Sequence, residues 1–259
     1  MLQEEQTLVV ILIGASIFAD LCRRMQDRRY RVFHIKSPSI QSLQRSKYLI
    51  EKRVRRICKY HEHLSYVVVA QIPGNSIFPA DVQLKGHAHE TYRAPILETV
   101  QTFMDVIKSF NFQTKVKILV IPPLPRLLET VCGCAEALKY NDGLKELRNI
   151  EQYVQVQLRD VQDIYLIKTR QIFEKIFCNS KINGPLYENR DVGPKQRLRR
   201  MATKDALIKK VCYKYLLAED LTHLTDLGGD AYTEAVYQLA VDLHNPDPNT
   251  RHSGEFFEG

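Results

Sequence analysis

The chain has 259 residues, 37 Lys and Arg against 30 Asp and Glu, a formal charge of +7 and 44% hydrophobic residues. That balance excludes an intrinsically disordered polymer, and 11 Gly with 11 Pro excludes collagen-like and low-complexity chains. The length suffices for one large or two small domains, either able to bury a core without disulfide staples.

The chain starts Met-Leu-Gln-Glu-Glu-Gln, acidic where a secretory signal is basic, and its first apolar run is too short to span a bilayer. No transmembrane segment is expected, and cytoplasm or nucleus is the expected location. Cys22, Cys58, Cys132, Cys134, Cys178 and Cys212 have irregular spacing and lie in apolar runs, so they read as buried free thiols rather than a disulfide or zinc framework.

In chain order, five short β-branched runs read as strands: Leu8 to Ile13, Arg31 to Ile35, Tyr66 to Ile72, Val116 to Ile121 and Ile164 to Ile167. Continuous rather than alternating apolar character indicates strands covered on both faces, as in a parallel sheet between two helical layers. Segments of helical period separate them: Ile17 to Gln26, Ile40 to Tyr60, Ile96 to Phe110 and a pair within Leu127 to Gln162, then Ala206 to Leu217 and Thr233 to Leu243. The alternation predicts an α/β fold, a three-layer α/β/α sandwich around a five-stranded, doubly wound parallel sheet of flavodoxin-like order. One domain over 1–244 is expected, with a basic loop insertion at 179–203 and a flexible tail at 245–259.

Three segments carry candidate chemistry. Ser16 follows the first strand in Ile13-Gly14-Ala15-Ser16-Ile17, where a parallel sheet opens its crevice; it is either a nucleophile or a helix cap. Asn75 follows the third strand in Pro73-Gly74-Asn75-Ser76, and reads either as a turn residue or as an N–H donor to an oxyanion. Asp220 and His223, three apart before the last helix, read either as a cap with an exposed imidazole or as a carboxylate orienting a general base.

Together these segments resemble the SGNH/GDSL hydrolase superfamily, whose members carry Gly-Asp-Ser after the first strand, Gly-x-Asn-Asp after the third and Asp-x-x-His before the last helix. The resemblance implies Ser16 as nucleophile, His223 as general base and Asp220 as its orienting partner. Asn75 and the backbone N–H groups of Ser16 and Ser39 would form the oxyanion hole, and an ester or O-acyl substrate would be hydrolysed through an acyl-enzyme without a cofactor. Ala15 stands where the family has Asp, Pro73 and Ser76 replace the flanking Gly and Asp of the third block, and Ser39 occupies the place of the second-block Gly.

Positive charge is clustered, and this carries the alternative. Arg23, Arg24, Arg28, Arg29 and Arg31 form one group, Lys52, Arg53, Arg55, Arg56 and Lys59 a second, and Lys195, Arg197, Arg199, Arg200 and Lys204 a third. With Tyr30, Tyr48 and Tyr60 nearby, they suit phosphate contacts and base stacking, so a catalytically weak or lapsed SGNH-like domain binding RNA or single-stranded DNA is the competing expectation. Domains similar to SGNH hydrolases include RNA-binding modules. Lys85-Gly86-His87-Ala88-His89-Glu90 is expected to be a polar loop, with no metal, because a third ligand of suitable spacing is missing from the pattern.

Overall fold

The computed structural model describes residues 8–28, 30–77, 89–113, 115–124, 143–178 and 224–244. The apolar runs become five parallel strands, each boundary within one residue of the run that announced it. They are β1 (Leu8–Gly14), β2 (Arg31–Lys36), β3 (Ser65–Gln71), β4 (Lys117–Ile121) and β5 (Ile164–Leu166). The sheet order is β2-β1-β3-β4-β5. β1 is buried along its whole length, and β3 and β4 are buried after their first residue, because helices cover both faces. β2 is an edge strand, and its terminal Arg31 and Lys36 are exposed. Charge at a sheet edge discourages pairing with another chain.

Eight helices are described: α1 (Ser16–Asp27), α2 (Ile40–Arg45), α3 (Lys47–Tyr60), α4 (Gly74–Ile77), α5 (His89–Lys108), α6 (Gly143–Leu158), α7 (Thr169–Cys178) and α8 (Asp226–His244). α1 buries Phe18, Leu21, Cys22 and Met25, one stripe at helical spacing. Burial of such side chains stabilises by about 1.5–3 kcal/mol each. α3 buries Ile50, Val54, Ile57 and Cys58 in the same way. α1, α8 and α7 pack in series on one face of the sheet, while α2, α3, α5 and α6 form the other layer.

Several boundaries differ from expectation. The Ile40 to Tyr60 segment divides at Ser46 into α2 and α3. α5 begins at His89, so the last two residues of the expected His-x-His loop are helical, and Pro95 lies inside the helix. α7 is an additional helix; Ile172 and Ile176 give it a buried stripe one turn apart. The last helix starts at Asp226, seven residues before Thr233, and takes in Gly228 and Gly229. The expected helix at 206–217, the insertion at 179–203 and the tail at 245–259 lie outside the described residues.

Two buried polar devices secure the layers. The hydroxyl of Tyr66, at the start of β3, donates to carbonyls at the end of α3, those of Cys58 at 2.8 Å and His61. Glu151 of α6 accepts the backbone N–H of Thr169 at 2.6 Å, fixing the start of α7. Cys22 and Cys58 are buried free thiols, and burial pushes the Cys58 thiol up to about 11.

Candidate functional site

In the order β2-β1-β3-β4-β5, the chain leaves β1 toward one edge and later continues toward the other. Such a switch point opens a crevice beyond the carboxyl ends of β1 and β3. Ser16 stands at the end of β1 as the first residue of α1, and its side chain is exposed. The N-cap position belongs to Ala15, whose methyl group cannot accept a hydrogen bond. Asn75 lies in α4, the short turn directly after β3. Ser16 and the Asn75 turn therefore flank the same crevice.

The loop that carries Ser16 is held from below. The Gly14 carbonyl accepts the Ser37 backbone N–H at 2.8 Å and lies 3.1 Å from His34 Nε2, which donates as the protonated ring nitrogen. Burial first, then the charges of Arg53 and Lys36, hold the His34 imidazole below its ordinary value, against the opposing pull of the Gly14 carbonyl. A side chain at Gly14 would meet the Phe18 ring at 2.9 Å, and Phe18 is fully buried, so this position needs glycine for close approach. His34 was not singled out from sequence. The sequence signal is a polar ring between the apolar Phe33 and Ile35, and in the sheet His34 stands opposite Leu12.

Ser39 caps α2, its hydroxyl accepting the Ser42 N–H at 3.1 Å. Its hydroxyl thus has a structural task, and the oxyanion expectation concerns its backbone N–H. Just before it, the buried Ser37 hydroxyl has no hydrogen-bond partner among the described residues. Asp220 and His223 lie outside the described residues, as do Arg29, Arg197, Arg199 and Arg200.

The chain reappears at Leu224, and the helix that follows is tied to α1. Arg24 donates from Nε to Asp20 at 2.7 Å, from Nη2 to Asp226 at 2.8 Å and from Nη1 to Asp230 at 3.1 Å. Arg28 pairs with Glu234 at 2.5 Å and Asp230 at 3.3 Å. Tyr30 stacks on Tyr237, with ring centroids 3.7 Å apart. Arg23 pairs with Asp20 at 2.7 Å and with Asp27 at 3.6 Å. Arg23, Arg24 and Arg28 of the first basic group, and Tyr30 beside it, are therefore engaged within the fold.

The second group behaves differently. Lys52, Arg53, Arg56 and Lys59 are exposed on α3 and Arg55 is half-buried. None of the five pairs with a carboxylate among the described residues. Among those residues, no group of three His, Cys, Asp or Glu side chains is placed to hold a metal ion, and no helix is long and apolar enough to cross a membrane.

No family model matches the chain, and no curated protein matches it. Among solved structures it is similar to a lipase, Lip_vut3, from a goat rumen metagenome, at 13% identity and a TM-score of 0.46 over 90% of this chain and 97% of that one.

Proposed function

We propose that the chain is a serine hydrolase of SGNH type acting on an ester or O-acyl substrate. Ser16 is the nucleophile, His223 the general base and Asp220 its orienting partner. One observation carries this reading: Ser16 is exposed at the mouth of the β1/β3 crevice, in the first turn of α1, while the cap position is taken by Ala15. A serine needed only for capping would stand one residue earlier.

The α1–α8 clamp supports the proposed meeting of Ser16 and His223. Asp20, which shares Arg24 with Asp226, lies one turn from Ser16, about 6 Å along the helix. His223 is three positions before Asp226, a chain reach of up to about 10 Å.

In this mechanism Ser16 Oγ attacks the substrate carbonyl carbon as its proton passes to the His223 imidazole. The oxyanion that forms accepts hydrogen bonds from Asn75 and from the backbone N–H groups of Ser16 and Ser39. Collapse expels the alcohol, which takes the proton from the imidazolium, and water then releases the acyl group by the same steps in reverse. Ala15 leaves the loop without the carboxylate of the family pattern, and the contacts on the Gly14 carbonyl from His34 and Ser37 supply part of that ordering.

The test is hydrolysis of p-nitrophenyl acetate and longer acyl esters by wild type, Ser16→Ala, His223→Ala and Asp220→Asn. Each variant is expected to keep its fold and lose turnover. Equal rates in wild type and Ser16→Ala would refute the assignment.

A second reading, binding of single-stranded nucleic acid, is favoured by one observation away from Ser16. Lys52, Arg53, Arg55, Arg56 and Lys59 of α3 pair with no carboxylate among the described residues, whereas Arg24 and Arg28 are paired with α8.

A further inference from the structure

Resting on that second reading, we infer that α3 and the cleft beside its last turns form a binding site for single-stranded nucleic acid, with phosphates on the helix and an unpaired base in the cleft. At 100° per residue, Arg55, Tyr48, Lys59, Lys52, Arg56, Leu49, Tyr60 and Arg53 fall within an arc of about 160°, and Ile50, Val54, Ile57 and Cys58 lie on the buried side. Five cations thus share one outward face.

Tyrosines stand at both ends of this face. Tyr48 is 66% and Tyr60 70% exposed, and twelve residues of helix separate them by about 18 Å. The Arg56 guanidinium lies over the Tyr60 ring at 5.7 Å from its centroid. Exposed aromatic faces interleaved with cations suit a strand whose bases are free to stack.

The cleft adds the second element. It has a volume of about 290 Å³, room for one base, and its lining includes Arg55, Cys58, Lys59, Tyr66 and Phe112. Gln113 borders it with an amide, and Glu62 supplies its one carboxylate. The Phe112–Gln113 edge is pre-set: Glu51 of α3 accepts the Asn111 N–H at 2.9 Å, and Asn111 Oδ1 accepts the Gln113 N–H at 3.1 Å. Gln113 takes a φ of 56°, a conformation unusual for a residue with a side chain. Two cations and an amide can together read phosphate and base edge, over a floor made by the exposed margins of the largely buried Tyr66 and Phe112 rings.

A membrane surface fits less well. Leu49 is the one exposed aliphatic side chain of the face, whereas an interfacial helix buries a broad apolar face. A duplex fits less well too, since its bases are already stacked on one another. Because α3 ends beside the start of β3, the cleft lies at the opposite end of the sheet from Ser16.

The experiment is fluorescence anisotropy of the full chain with a labelled 15-nucleotide oligouridylate. About four phosphate contacts predict roughly 50-fold weaker binding at 200 mM than at 50 mM salt. Lys52→Glu with Arg53→Glu and Arg56→Glu should weaken binding at least tenfold and flatten that dependence. Tyr60→Ala, and Phe112→Leu, which keeps apolar volume while removing the ring, should each weaken it about fivefold and leave the salt dependence intact. Circular dichroism checks the fold of every variant. Salt-sensitive binding that all these variants retain would overturn this site while sparing the nucleic-acid reading. Absence of salt-sensitive binding would overturn both, and stronger binding to a matched duplex or to phosphatidylserine vesicles would replace the single-strand assignment.

Discussion

Arg24 and Asp226, 202 residues apart in the chain, meet in a 2.8 Å ion pair that joins the helix beginning at Ser16 to the helix beginning just after His223. The Arg24 side chain is only 10% exposed, and it also holds Asp20 and Asp230. Burial opposes its charge, and the carboxylates outweigh that cost. Since the partners are more exposed than Arg24, Arg24→Met should destabilise by about 2 kcal/mol, less than the loss of a fully buried pair. Urea unfolding reads this directly; a change below about 0.5 kcal/mol would show that the clamp is superficial.

Gly229 is part of the same clamp. A Cβ there would stand 2.5 Å from Arg24 Nε. Gly229→Ala should therefore cost about 1–3 kcal/mol by displacing the guanidinium from its carboxylates. In an Arg24→Ala background the clash is gone and helix propensity dominates, so the same change should stabilise by up to about 1 kcal/mol. A double-mutant cycle measures the reversal of sign, and simple additivity would contradict it.

These two residues also show what the sequence conceals. The strands were legible because continuous runs such as Val9 to Leu12 and Val67 to Ala70 have few alternatives to burial on both faces. Helical period alone starts the last helix at Thr233, yet it begins at Asp226 and takes in Gly228 and Gly229, and Gly229 makes room there for Arg24. The Arg-rich stretch of α1 read as a single cationic surface, yet its partners stand some 200 residues away on α8. At the site, the placement of Ser16 and Asn75 was legible from the strand ends. The support of Gly14 by His34 was not, because it depends on the register between β1 and β2.

Two carboxylates predict opposite pH dependences. Burial pushes the Asp20 carboxyl up, but hydrogen bonds from Arg24 and Arg23 prevail and hold it below the usual 3.8. The folded chain binds this proton less readily than the unfolded one. The contribution of Asp20 is present above the unfolded value and lost as pH falls through the folded value. Asp20→Asn should be less stable than wild type at pH 7, with the gap closing in acid. Burial pushes Glu151 above 4.5, only partly offset by its bonds with Thr169. Its effect runs the other way: stability falls as pH rises from the unfolded through the raised folded value, and Glu151→Gln should remove that decline. Melting temperatures of both variants from pH 3 to pH 7 check the signs.

The glycine beneath the proposed nucleophile gives a further prediction. Gly14→Ala places a methyl against the buried Phe18 ring at 2.9 Å, and should cost about 1–3 kcal/mol and reduce ester turnover by shifting the Ser16 loop. Phe18→Leu should relieve the contact and restore part of the turnover lost in Gly14→Ala. Full turnover in Gly14→Ala alone would show that the loop is not held by this packing.

The proposed mechanism requires Ser16 to be an activated nucleophile. Treatment with a fluorophosphonate probe followed by peptide mass spectrometry tests it most directly. One adduct is expected, on Ser16, formed by the native chain, lost on denaturation and strongly reduced in His223→Ala. A folded wild-type chain that takes up no probe at Ser16 would contradict it.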